Sequence, residues 1–313
     1  MSADAPATAT VPYVDILREF HRVQALSTAE RVEWKNTIID EPELLAGIFE
    51  RSIEQLEAAF GSSQVSTALN SRETRNGPKP PPKPVKVTAR NRKTAPKPGP
   101  KTDLQKAHEI LYSVFEAGGV TVSGAPQLAA DYAGYSVAPL RIKGDAVGKF
   151  DADDAPEGDP GELFQLDLLL QSRDEDALPI VGEFKYGDDI DPMLGLLEAL
   201  TYVALLAAPS QAKRLRKYFK VTDEDGDSDR FDEHDVPRFD IYLFFAGHRR
   251  NAASQRSALW DAVPWVIDAL LEEPAISKHV RRIEGIKIPL GGDAQVQLAG
   301  NAVLGKPVVW EED

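Results

Sequence analysis

The stretch 163–186, "LFQLDLLLQSRDEDALPIVGEFKY", most constrains the fold of this chain. Two apolar runs of strand length flank the polar turn "SRDEDA", and charge interrupts each run. The pattern predicts strands at Leu163–Gln171 and Leu178–Tyr186. Asp167 sits among Leu166, Leu168, Leu169 and Leu170, while Glu183 and Lys185 close the second run. Burying such charges costs several kcal/mol unless they are paired or bound to a metal. Side chains alternate faces along a strand, so Glu183 and Lys185 share one face, and Gly182, Phe184 and Tyr186 occupy the other. Antiparallel pairing would bring Asp167 beside Glu183. Adjacent carboxylates raise each other's pKa, and a divalent cation between them reverses that logic. Oxygen-only ligands favour Mg²⁺ or Mn²⁺. An ammonium beside such an ion orients a water and stabilises charge on a phosphoryl group. Such an arrangement suits hydrolysis of a phosphodiester.

The flanking sequence supplies the other elements. Asp103–Ala117 is a predicted helix with Leu104, Ile110, Leu111 and Phe115 on its apolar side. Short strands are expected at Leu140–Lys143 and Val147–Phe150. Pro192 opens a long helix reaching Ala207, and "FDIYLFFA" at Phe239–Ala246 has the composition of a buried strand. Ser257–Glu272 repeats apolar residues at helical spacing, and 282–290 is a last strand candidate. The order α-β-β-β-α-β points to an α/β fold with a mixed sheet flanked by helices.

Asp167, with Glu183 and Lys185 on the next strand and in this element order, resembles the PD-(D/E)xK nuclease superfamily. The resemblance covers roughly 103–246. It implies a restriction-endonuclease-like core and a metal-dependent nuclease in which Asp167 and Glu183 hold the ion and Lys185 is catalytic. Leu166 stands where the family frequently has Pro. In the RecB-like branch a helix after the Lys strand carries Gln-x-x-x-Tyr. Here "EALTY" puts Glu198 at the Gln position and Tyr202 at the Tyr position, which implies a site role for Tyr202. That branch also has a metal-binding His on the first helix. "KAHEIL" places His108 there, with Glu109 one step away as the other possible third ligand. The triplet Glu33–Lys35 in "VEWKN" also fits E-x-K, but it lies in a helical region with no preceding Asp strand.

Three segments are expected: a helical N-terminal module over 1–70, a disordered basic linker over 71–102, and the nuclease-like domain over 103–313. The stripe Leu44, Leu45, Ile48, Phe49, Ile53, Leu56, Phe60 in the first should pack within that module or on a protein partner. Residues 72–101 carry ten Lys/Arg against one acid, Glu73, and are rich in Pro. Such a segment lacks the apolar residues for a core and can neutralise phosphates without sequence preference. The whole chain is nevertheless at −14, so the remainder is strongly acidic and repels nucleic acid at long range. That charge keeps a second class in view: a catalytically inactive nuclease-fold scaffold, or an acidic interaction protein that mimics nucleic acid.

With no cysteine, disulfides and zinc–thiolate sites are excluded. The first residues have neither the basic nor the apolar region of a secretory signal. The longest apolar stretch, Met193–Ala208, is interrupted by Glu198 and is too short to span a membrane. A cytoplasmic protein without membrane contact is the expectation. "TDEDGDSDRFDEHD" at 222–235 opens like a calcium loop but has Ser228 and His234 where Gly and Glu are required, so it is read as a solvated acidic loop.

Overall fold

The computed structural model describes residues 10–60, 103–137, 149–150, 152–157, 165–186, 191–208, 215, 238–246, 256–288, 302–304 and 306–307. The expected linker, the strand candidate Leu140–Lys143 and the acidic loop at 222–235 lie outside these residues.

Three N-terminal helices form as their patterns dictate. Helix α1 (Asp15–Ala25) buries Ile16, Leu17, Phe20 and Val23, spaced three and four apart. Helix α2 (Thr28–Asp40) starts at a capping box. The Ser27 N–H donates to Glu30 Oε2 at 2.8 Å, and Ser27 Oγ accepts from the Glu30 N–H at 3.4 Å. Helix α3 follows at Glu43–Phe60. Next come α4 (Asp103–Glu116), α5 (Pro192–Ala207), α6 (Arg256–Glu272) and the single turn α7 (Pro274–Ser277).

The main sheet is mixed. Its six longer strands are β2 (Gly119–Val122), β3 (Ala125–Val137), β5 (Leu166–Ser172), β6 (Pro179–Tyr186), β7 (Phe239–Ala246) and β8 (Val280–Ile288). They lie in the order β8-β7-β6-β5-β3-β2, with short strands β10 (Lys306–Pro307) beside β8 and β9 (Ala302–Leu304) beside β2. The pairs β2/β3, β3/β5 and β5/β6 are antiparallel, and β6/β7 and β7/β8 are parallel. Separately, β1 (Thr10–Val11) pairs in parallel with β4 (Lys149–Phe150). So the end of the strand expected at Val147–Phe150 joins the N-terminus and stays out of the main sheet. The hairpin β2–β3 was not expected, and it supplies the third antiparallel strand. Gly119 permits it, because a Cβ there would lie 2.2 Å from the Ala130 carbonyl oxygen.

Each sheet face has its own core. One face packs Leu168, Leu170, Ile180, Phe184, Tyr242 and Phe244 against Ala107, Ile110, Leu111 and Val114 of α4. The other packs Leu169, Val181, Ile241, Leu243 and Phe245 against α5 and α6. Helices α1–α3 lie over α5 and α6 and belong to this second core: Leu45, Phe49, Ile53 and Leu56 join the same buried cluster as Leu196, Leu200 and Val203. Of the α3 stripe, expected to pack within its own segment or on a partner, Leu44 is exposed, while Leu45, Phe49, Ile53 and Leu56 are buried against the helices on the sheet as well as against α1. This explains why α5 is apolar on all sides, with every residue buried except Leu194 and Glu198. Among the described residues, no helix is long and apolar enough to cross a membrane.

An ion-pair network closes the end of the sheet where the β5–β6 turn lies. Asp240, at the start of β7, is fully buried and accepts from Arg281 Nε at 2.8 Å and Arg281 Nη2 at 2.6 Å. Arg282 Nε reaches the same carboxylate at 2.8 Å. Arg281 also pairs with Asp174 at 2.7 Å and Asp176 at 2.5 Å, tying the turn to β7 and β8.

Candidate functional site

Strand β5 runs antiparallel to β6 with Leu168 opposite Gly182 and Leu169 opposite Val181. Continued by one residue, that register sets Asp167 against Glu183. All three expected side chains lie on the face covered by α5, since Leu169, Val181 and Phe245 line that core. Asp167 Oδ2 accepts from the Phe184 N–H at 2.9 Å. Lys185 Nζ donates to Glu183 Oε1 at 2.7 Å and also to Glu198 Oε2 on α5. The Tyr202 hydroxyl lies 3.1 Å from Glu198 Oε1 and 3.3 Å from the Gln165 carbonyl oxygen, two acceptors that share its proton.

Helix α5 comes close because of its N-terminal turn and one small residue. Asp191 caps it, accepting from the Leu194 N–H at 3.2 Å, and Pro192 occupies the first turn. Gly195 leaves room for the Lys185 stem: a Cβ there would lie 3.5 Å from Lys185 Cγ. Glu198 is one turn further, and Tyr202 one turn beyond that.

The electrostatics follow from burial. Glu183 is 3% exposed and its Oε2 has no hydrogen-bond partner. Desolvation, with the charge of Asp167 next, pushes Glu183 well above the usual carboxylate range. Desolvation also raises Asp167 to about 6, against the lowering effect of Lys185 and of the Phe184 N–H. Burial pulls Lys185 down, but Glu183 and Glu198 outweigh it and hold the ammonium above its ordinary value. Burial, then the charges of Glu183 and Glu198, raise the Tyr202 phenol well above 10. Three carboxylates thus face one ammonium, and the Asp167–Glu183 pair lacks a counter-charge of its own. Such a pair calls for a shared proton or a bound cation.

Asp167, Glu183, Lys185 and Tyr202 are brought together as expected, and Glu198 is turned to the site rather than to solvent. His108 and Glu109 lie on α4, whose apolar side packs on the opposite sheet face. Among the described residues, no three His, Cys, Asp or Glu side chains form a metal-holding group, so neither residue is joined to Asp167 and Glu183 in one. Sequence reasoning missed Gln165, whose carbonyl oxygen anchors Tyr202, and Asp191. An Asp directly before Pro192 is a helix-start signal that points to Asp191. Nothing in the sequence singles out a backbone carbonyl such as that of Gln165.

Comparisons of the chain with protein-family models, with curated proteins and with solved structures found no match. The site therefore has to be interpreted from its own geometry.

Proposed function

We propose that this chain is a metal-dependent nuclease of the PD-(D/E)xK kind, hydrolysing phosphodiester bonds of DNA or RNA. The observation that carries this reading is the convergence of Asp167, Glu183 and Lys185 on one face of an antiparallel strand pair, with one oxygen of Glu183 left unpartnered. Further support comes from the element order: a helix on one sheet face, the antiparallel strands β3, β5 and β6 with β2 added beside β3, a helix on the other face, then a parallel strand.

The donor set is oxygen-only, and the orphaned Glu183 Oε2 fits a hard divalent cation, Mg²⁺ or Mn²⁺, held by Asp167 and Glu183. When bound, such an ion polarises a phosphoryl oxygen and lowers the pKa of a coordinated water. Lys185 is held charged by Glu183 and Glu198, so its part is to offset negative charge developing on the phosphoryl group, not to take up a proton. Glu198 fixes the ammonium, and Tyr202 fixes Glu198. Tyr202, at 3% exposed, acts through Glu198 and does not touch substrate.

A second reading, an inactive scaffold that retains the fold, is favoured by one feature: both Lys185 contacts go to carboxylates of the protein itself. Incubation of the full chain with single- and double-stranded DNA and RNA in Mg²⁺ or Mn²⁺ separates the two. Cleavage that chelation abolishes is expected, together with a Mn²⁺-induced rise in melting temperature. That rise corresponds to about 2.7 kcal/mol at a hundredfold excess over Kd. Asp167→Ala should remove both. Lys185→Met should keep the melting shift and lower cleavage by roughly a hundredfold. A wild type with neither cleavage nor a metal-induced shift leaves the scaffold reading standing.

A further inference from the structure

Helix α2 presents Trp34, Lys35 and Ile38 to the interior. A lysine on that face, 8% exposed, is costly unless it is paired. Lys35 Nζ reaches Asp191 Oδ2, 156 residues away, while Asp191 Oδ1 caps the Leu194 N–H and the Asp191 carbonyl accepts from the Gly195 N–H at 3.0 Å. One carboxylate thus joins the N-terminal helices to the first turn of α5.

Asp191, Gly195, Glu198 and Tyr202 follow one another at steps of four, three and four, so they lie along a single helix face. Gly195 lies against the Lys185 stem, Glu198 accepts from Lys185 Nζ, and Tyr202 holds Glu198. Apart from Thr201, whose hydroxyl donates to the Leu197 carbonyl, the rest of α5 is apolar, and apolar packing is non-directional. The directional contacts that α5 makes with other elements lie along this one face. The buried Lys35–Asp191 pair adds a directional contact at the start of that face, and setting register is the best attested use of such pairs.

We infer that Lys35 is a positioning residue of the candidate site: by fixing the start of α5 it sets Glu198 against Lys185. The N-terminal helices are then part of the site's construction. The inference takes its purpose from the nuclease reading, but the placement of Lys185 can be measured without any cleavage.

The experiment uses the full chain with ¹⁵N-labelled lysine side chains, the Lys185 ammonium signal being assigned by its loss in Lys185→Met. In the wild type this signal should be protected from hydrogen exchange. In Lys35→Met and in Asp191→Asn, which keeps the capping oxygen, exchange should be about tenfold faster. Lys35→Arg should restore protection. Ser52→Ala is the reference: Ser52 Oγ accepts from the Ile16 N–H at 2.8 Å, so its loss loosens the N-terminal helices elsewhere. That variant should lower the melting temperature and leave the Lys185 signal unchanged. If the wild type cleaves nucleic acid, Lys35→Met should lower kcat about tenfold with KM unchanged. An unaltered Lys185 signal in folded Lys35→Met and Asp191→Asn, or an equal change in Ser52→Ala, overturns the inference. A wild type that cleaves nothing overturns the nuclease reading alone, and the Lys185 signal still decides the role of Lys35.

Discussion

The two ends of the central strands both bury charge, and they do it in opposite ways. At the β5–β6 turn, Asp174, Asp176 and Asp240 meet the guanidiniums of Arg281 and Arg282, with paired contacts from Arg281 to Asp240. Burial pushes Asp174 up, but hydrogen bonds from Arg281 and Ser172 and the two arginine charges outweigh it, leaving its pKa lowered. At the other end, Asp167, Glu183 and Glu198 share the single ammonium of Lys185, and both strand carboxylates are raised. The first cluster uses its charges to hold a turn against two strands. The second has one ammonium for three carboxylates, a balance that a shared proton or a bound cation would complete. Both clusters bury charge, but Asp174 is lowered by its arginine partners whereas burial raises Asp167 and Glu183.

Four substitutions sharpen or break that comparison. The largest effect is expected from Asp240→Ala, which strands two guanidiniums in a partly buried cluster. Urea unfolding should show a loss of about 3 to 5 kcal/mol. A loss below about 1 kcal/mol would mean the network is ornamental, and the contrast between the two ends would collapse.

Next is Asp167→Asn, for which the opposite sign is expected. Folded Asp167 titrates at about 6, above its unfolded value. Its contribution to stability is therefore fully present below the unfolded value of about 3.9 and is lost as pH rises through about 6. Without metal, wild type should gain on the order of 2 kcal/mol on acidification from pH 7 to pH 4 from this group. Asp167→Asn should be more stable than wild type at pH 7 by a similar amount, with that dependence removed. Asp174 works the other way: its lowered pKa stabilises above the unfolded value, and this is lost as pH falls. Comparing stability–pH curves of Asp167→Asn and Asp174→Asn isolates the two contributions. Two curves shifted in the same direction would refute the assignment.

The smallest effect is expected beside the network. Arg173 and Asp131 also pair, at 2.7 Å, but with side chains 40% and 56% exposed. Arg173→Ala should cost less than about 1 kcal/mol by the same unfolding measurement. A larger cost would show that charge at this end matters regardless of its exposure.

The charged strands were legible because alternation fixes which side chains share a face. Once the β5–β6 turn sets Leu168 opposite Gly182, the register carries Asp167 to Glu183. Helix α5 was legible from Pro192 and its long, mostly apolar run, and α2 from its capping box. The hairpin β2–β3 was not. "APQLAADYAG" is rich in alanine, a weak strand former, and β3 holds its extended form through partners on both sides. Its local signals were the alternating "GVTV" and Gly124, which turns the chain at a φ of +76°. Lys35 was set aside as a chance E-x-K match. Its partner lies 156 residues away, a separation at which no periodicity carries information. The same limit applied to the α3 stripe: its amphipathic pattern showed that a face is buried, and nothing in it named the surface that buries it.

The all-apolar character of α5 also bears on how the chain is made. Helices α1–α3 leave the ribosome first, yet the helix they cover is 156 residues downstream at the Lys35–Asp191 contact. At ordinary rates of synthesis, Leu45, Phe49, Ile53 and Leu56 wait roughly 8 to 30 s for their partner. During that interval they are exposed to other nascent chains, and long-range closure makes the later docking step slow. Until α5 is made, these side chains have only α1 and α2 to pack on, so the N-terminal core is completed late in synthesis.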